Sequence, residues 1–362
     1  IYTIIGDGES QEGQIWEASM YASQVKADNL IVFLDNNGMQ IDNYTKDLNS
    51  LIDPVEKWKS FGFFVQAIDG NNIEEIDDAI IKAKQNTRVP LARVITVTSG
   101  KGGVGKSNTS INLAIQFRKL GQRVIILDAD FGLANIEIMF GTVPKHNLCD
   151  LIYKGKNIKD IITWGAGDVG FISGGSGIVG MSNLSKNYLV YIIQNLAQLD
   201  AIADVIIIDT GAGISDAVLE FLVASGEIIL VTTPEPTSIT DSYSLLKALN
   251  RHPRFSKEAS KIKVVANRVN RIAEGTSLFE KLELVVNKYL KIPISYLGAI
   301  PLDNQLAEAV MQQKPVSLSN PNAKSTIAFE NIAAKLMGDD KLIKKRGMAA
   351  FFSHIITGKK LN

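Results

Sequence analysis

Residues 100–107 read Gly-Lys-Gly-Gly-Val-Gly-Lys-Ser and fill every fixed position of the phosphate-loop pattern G-x-x-x-x-G-K-[ST]. Gly100, Gly102, Gly103 and Gly105 let the backbone turn tightly, so that successive N–H groups, including those of Val104 and Asn108, can face a di- or triphosphate. A following helix adds the positive end of its dipole. Lys106 supplies a point charge near the outer phosphates, and Ser107 offers a hydroxyl to Mg²⁺. An extra lysine, Lys101, stands directly after the first glycine. The competing reading is a glycine-rich turn that binds nothing. The flanks decide against it: Arg93–Thr98 reads as a buried strand, and Leu113, Phe117 and Leu120 recur at helical spacing beside Ile111, Ala114 and Ile115.

Two further apolar strands end in carboxylates. Arg123–Leu127 runs into Asp128 and Asp130, and Asp204–Ile208 runs into Asp209 before the glycine-rich Thr210–Gly213. Continuous apolar runs are what central parallel strands require, and their carboxyl edge is where the phosphate loop also lies. Aspartates there can hold Mg²⁺ through water or orient a water against the outer phosphate; a single one can instead cap a helix. A second cluster lies near the start. The strand Tyr2–Ile5 ends in Gly6-Asp7-Gly8, and the strand Leu30–Leu34 ends in Asp35-Asn36-Asn37-Gly38. Side by side, these strand ends could hold Mg²⁺ between Asp7 and Asn37, or they are two ordinary turns.

Strands alternate with helices throughout, so the fold class is α/β with parallel sheets. The 362 residues suffice for two domains, and the 38 basic and 38 acidic residues cancel, leaving no global footprint for nucleic acid. The lone cysteine, Cys149, excludes an internal disulfide or a one-chain iron–sulfur site and fits a reducing cytoplasm as a small buried residue. No apolar run reaches the roughly 18 residues of a membrane span, and no signal peptide is visible. Ile1 falls inside an apolar strand without an initiator methionine, which predicts a truncated start. The three histidines, His146, His252 and His354, are scattered and predict no ligand or triad role. The charges of a predicted 73–86 helix form a solvated face.

Residues 1–90 resemble the thiamine-diphosphate-binding domain of transketolase, on Gly6-Asp-Gly-Glu-Ser-Gln-Glu-Gly-Gln-Ile-Trp-Glu-Ala18 and Asp35-Asn-Asn-Gly-Met-Gln-Ile-Asp42. The resemblance implies that Asp7, Asn37 and the Met39 carbonyl would ligate Mg²⁺ on the cofactor's diphosphate, and that Glu12 belongs to an interfacial glutamate cluster. The family's preceding segment and the second domain that supplies its activating glutamate have no counterpart here. The site is therefore expected to be vestigial and transketolase activity absent. After Arg88-Val-Pro-Leu a transketolase would continue with an apolar strand and a Lys-Gly-Lys-Gly-like turn, and the phosphate-loop segment from Arg93 reads much the same, which predicts a chimera joined near residue 90, by gene fusion or by assembly error.

From residue 92 the chain resembles the MinD/ParA deviant-Walker ATPases, with Lys101 as the signature. The runs Asp130–Gly141, Ile172–Gly177, Asp209–Ser215 and Val231–Asp241 point to the flagellar-number-regulator (FlhG/FleN/YlxH) branch more than to division-site MinD. The resemblance implies an ATPase domain over 92–338 that dimerises on ATP. Lys101 would reach the partner's phosphates, Lys106 and the 102–107 amides would cradle their own, Ser107 would ligate Mg²⁺ directly and Asp209 through water. Asp130 would position the attacking water with Asp128 beside it, Asn267 would read adenine, and backbone at Pro301 would pack the base. For Asn267 the competing reading is a strand-end turn without a ligand.

The tail 339–362 carries Met348, Phe351, Phe352, Ile355 and Ile356 on one helical face, flanked by lysines and Arg346. A basic, aromatic-bearing short helix is a membrane-interface signature; docking on the protein's own core is the alternative. Two such tails on an ATP dimer would bind anionic lipid by avidity. The expected location is the inner face of the cell membrane. A signal-recognition-type flagellar GTPase and basal-body components are the partners the family implies, although transketolase-like sequence occupies the place of the GTPase-activating segment. A ParA-type DNA-partition role is the nearest rival, and cysteine-paired iron–sulfur carriers are excluded.

Overall fold

The fold is described from a computed structural model, covering residues 1–24, 27, 29–40, 43–86, 91–130, 135–174, 195–338, 347–348, 351–352 and 355. The chain divides into two compact units, Ile1–Val89 and Pro90–Asn362.

In the first unit β1 (Tyr2–Gly6) pairs in parallel with β2 (Ile31–Asp35), with Gly6 opposite Asp35, and the helix Gly13–Gln24 makes the crossover. A short antiparallel ribbon follows, β3 (Met39–Gln40) against β4 (Asn43–Tyr44). Trp58 is the one large apolar side chain that is buried among this unit's described residues. It packs 5.2 Å from Trp16 and edge-on to Phe63 at 5.0 Å. Two strands cannot cover themselves, and Ile1, Tyr2 and Ile4 are exposed. The helix predicted over 73–86 forms as Ile73–Asn86.

The second unit is built on one eight-stranded sheet. In chain order its strands are β5 (Arg93–Thr98), β6 (Val124–Ala129), β7 (Thr163–Trp164), β8 (Gly170–Ile172), β9 (Val205–Thr210), β10 (Glu227–Thr232), β11 (Lys261–Val269) and β12 (Ile294–Pro301). Across the sheet they run β12-β11-β10-β5-β9-β6-β8-β7, all parallel except for β7 against β8. Helices cover both faces, so the central strands are apolar on both sides. In β9, Val205 and Ile207 face one layer while Ile206 and Ile208 face the other, and all four are buried. The first layer holds the helices Lys106–Lys119 and Lys324–Gly338. Burial of this kind stabilises by about 25 cal/mol per Å² of apolar surface removed from water.

Register then places the chemistry. Asp128 on β6 lies directly opposite Asp209 on β9, and Val97 on β5 is also opposite Asp209. All three strands end at the edge where residues 99–105 turn into the helix Lys106–Lys119. The far edge is fixed differently: buried Arg93 makes two hydrogen bonds to Glu227, at 2.8 and 2.7 Å, and one to the Leu336 carbonyl.

The tail departs from the lipid-facing expectation. Met348, Phe351 and Phe352 are buried in the second layer with Ala92, Ile206, Ile208 and Phe221, and Ile355 packs against the same cluster. Phe351 stacks on Phe221 at 6.0 Å. Helical periodicity reports an apolar face but not which apolar medium it meets, and here that medium is the protein's own core. Ile356 and the tail's lysines and arginine lie outside the described residues.

Candidate nucleotide site

The loop's shape follows from two glycines above all. Gly105 has φ +95° and caps the helix that begins at Lys106, a conformation side chains resist. Gly100 sits so close to the helix Pro236–Arg251 that a Cβ would come 2.2 Å from the Asp241 carbonyl carbon. Val104 is buried and anchors the loop from within, while Gly102 and Gly103 are exposed at its lip. The result is a turn of backbone amides at a helix N-terminus, which is an anion-binding arrangement.

Behind the loop the charges converge. Lys106 is buried with Nζ 4.0 Å from Asp209 Oδ1. Ser110, one turn after Lys106, donates to the same oxygen at 2.8 Å. Asp209 is fully buried, and its other oxygen, Oδ2, accepts no hydrogen bond among the described residues. A buried carboxylate oxygen with no donor, beside the Ser107 hydroxyl position, suits a hard divalent cation, so Mg²⁺ fits this donor set. Burial pushes the Asp209 carboxyl up, and Lys106 opposes it. Asp128 is pushed up to about 7, by burial first and then by the charge of Asp209. The N–H groups of Asp130 and Ile136 donate to it, at 3.1 and 3.3 Å, and partly offset that. Asp130 lies against Gly211, whose added Cβ would be 3.6 Å from its Oδ1. Lys106, Asp128, Asp130 and Asp209 thus gather around the loop.

Asn267 is in β11, not in a turn after it, and is buried. Its Nδ2 donates to the Val104 carbonyl at 2.7 Å, and its Oδ1 accepts the Arg268 N–H at 2.9 Å. Pro301 ends β12, with Val269 of β11 opposite it. Lys101 points elsewhere: Nζ donates to Glu235 at 2.8 Å and to the Thr237 hydroxyl at 3.0 Å, at the N-terminus of the helix Pro236–Arg251. Its hydrogen bond and charge hold the Glu235 carboxyl below its usual range. Sequence reading gave no role to Glu235, Thr237 or Ser110. Ser110 was findable, because i and i+4 share a helix face.

In the first unit the structure does bring Asp7 to the Asn37 turn. Asp7 Oδ2 accepts the Gly38 N–H at 2.7 Å, and Asn37 Oδ1 accepts the Met39 N–H at 2.8 Å. Asn37 has turned its oxygen onto its own backbone, as an ordinary Asx turn does. Asp7 and Asn37 therefore meet at one turn, where one oxygen of each accepts an N–H of the turn's own backbone. Among the described residues no group of three or more His, Cys, Asp or Glu could hold a metal, and no helix is long and apolar enough to cross a membrane. Cys149 is half-buried rather than buried. His146 faces Asp150 and His252 faces Glu220; His354 is outside the described residues.

Comparison with known proteins places each unit. Residues 90–337 match the ParA family, described as NUBPL iron-transfer P-loop NTPase, and residues 1–114 match the transketolase thiamine diphosphate binding domain. The two matches overlap on β5, the loop and the start of its helix. The antiactivator FleN of Pseudomonas aeruginosa is 39% identical over 74% of this chain and 95% of its own length. The flagellum site-determining protein YlxH of Helicobacter pylori is 33% identical over 73% of this chain and 90% of its own. The 6-deoxy-6-sulfo-D-fructose transketolase subunit SqwG of a Clostridium species is 51% identical over 28% of this chain, spanning only 37% of that relative. Among solved structures, MinD of Pyrococcus horikoshii with Mg-ADP superposes with a TM-score of 0.53 at 22% identity, over 71% of this chain and all of that one. With its phosphate loop, paired aspartates and sheet order in place, the chain belongs to the ParA/MinD family of P-loop ATPases, carried behind a piece of transketolase thiamine-diphosphate-binding sequence.

Proposed function

We propose that the chain is an ATP-driven switch that works as a pair of copies at the membrane and regulates the number or placement of flagella. The observation that carries this reading is the division of the site's two lysines. Lys106 is buried beside Asp209, inside the cradle, while Lys101 is half-exposed at the rim on Glu235. A second cation held at the surface is placed to meet another molecule's phosphates, where it would stabilise charge as it develops. The relatives named as an antiactivator and as a flagellum site-determining protein support the cellular role.

In the reaction, the 102–107 amides and Lys106 bind and orient the triphosphate. Ser107 and Asp209 would hold Mg²⁺, which neutralises charge on the phosphates. Asp130 orients a water, and Asp128 accepts the Asp130 N–H at 3.1 Å and so fixes the backbone that carries it. Asn267 and the Pro301 backbone flank the place for adenine.

Lipid binding would require the tail to leave its seat. The Asp200 carboxylate accepts the Met348 N–H at 3.0 Å and the Ala92 N–H at 3.3 Å, and so fastens the tail's entry. We infer that ATP-bound pairs release the tail and ADP-bound single copies keep it docked. Pelleting with anionic vesicles tests this. The expected result is several-fold more protein on vesicles with ATP than with ADP; equal binding would refute the coupling.

A further inference from the structure

We propose that Asn267 is a positioning residue of the phosphate loop, fixing the loop's shape through its backbone before any base is read. This rests on the reading of residues 100–107 as the phosphate site. A loop that binds anions through amides must keep its carbonyls turned away, because a single flipped peptide would present oxygen to phosphate. In a trans peptide the C=O and N–H point in opposite directions. The peptide joining Val104 to Gly105 needs such control, since Gly105 has no Cβ to bias it and already sits at φ +95°. Asn267 supplies that control. Its Nδ2 takes the Val104 carbonyl at 2.7 Å, which directs the Gly105 N–H the other way.

The contact is built to hold. Asn267 is 3% exposed, and its Oδ1 is fixed by the Arg268 N–H at 2.9 Å. Arg268 itself has φ +57°, a backbone conformation that turns this N–H back onto the asparagine. The amide fills the space beside Gly105: a Cβ there would come 2.2 Å from Nδ2. Gly105 therefore serves both the turn and the approach of Asn267. The remaining Nδ2 hydrogen and Oδ1 lone pair still permit contact with a base, so the residue couples the two halves of a nucleotide.

Inorganic tripolyphosphate with Mg²⁺ separates the roles, because it carries no base. Its affinity, and that of ATP, would be measured by calorimetry on the full chain for wild type, Asn267→Ala and Asn267→Asp. The expected result is a roughly tenfold loss of tripolyphosphate affinity in N267A, with a larger loss in N267D, where an oxygen would oppose the Val104 carbonyl. Unliganded thermal unfolding within a few degrees of wild type shows that N267A folds; if it does not, N267D, of equal size, carries the comparison. Loss of ATP affinity with tripolyphosphate affinity unchanged would overturn the proposal and leave Asn267 a base reader only. Failure of the wild-type chain to bind either ligand would instead overturn the phosphate-site reading, and the proposal with it.

Discussion

The chemistry of this chain is concentrated in a few side chains whose environments differ sharply. Lys106 stands in a buried pocket with Asp209, where a charge left without its partner is costly. Replacing it by alanine should lower kcat on the order of a hundredfold, read from steady-state phosphate release. Asp128 gives a pH signature. In the folded, nucleotide-free protein it holds its proton up to about 7, against 3.8 for an ordinary aspartate. Between those values the native state binds more protons than the unfolded chain, so this group's contribution to stability is complete below the lower value and lost as pH rises through the upper one. Urea unfolding at pH 5 and pH 8 should show wild type losing stability across that interval, with Asp128→Asn losing less. Ser107, Lys106, Asp128, Asp130 and Asp209 were legible in the sequence because a fixed motif and strand-end position define them. Asp200 was not legible, because its partner Met348 lies far along the chain and no local pattern joins them.

At the scale of elements, the parallel strands and the loop-to-helix turn were readable from apolar runs and glycines. The runs gave strand positions to within about two residues, since buried strands end where polar groups must find partners. The tail helix shows where such reading stops. Its stripe of Met348, Phe351 and Phe352 is equally suited to a bilayer surface and to a groove lined by Phe221, and only the assembled fold chooses. Two consequences follow for this element. Phe351→Ala should cost about 3 kcal/mol by leaving a cavity, measured as a lower urea midpoint. Asp200→Ala removes the acceptor for the Met348 N–H and should raise vesicle binding with ADP several-fold. Unchanged binding in that variant would mean that the carboxylate does not fasten the tail.

As a whole, the molecule carries two bodies of very unequal completeness. The second unit has its own layered core on both sheet faces, whereas the first has Trp58 as its sole buried large apolar side chain among the described residues. A chain beginning at Pro90 should therefore keep its ATPase rate within about a factor of two, because a domain with its own core folds by its own contacts. The proposed pairing means that this core hydrolyses ATP only as two copies, with Lys101 acting across the pair. The direct measurement is the ATPase rate per molecule over a wide range of protein concentration, for wild type and Lys101→Ala, with nucleotide binding measured in parallel. The wild-type rate should rise with concentration. Lys101→Ala should bind nucleotide but stay at the dilute-protein rate throughout. A wild-type rate independent of concentration, matched by the variant, would contradict the pairing.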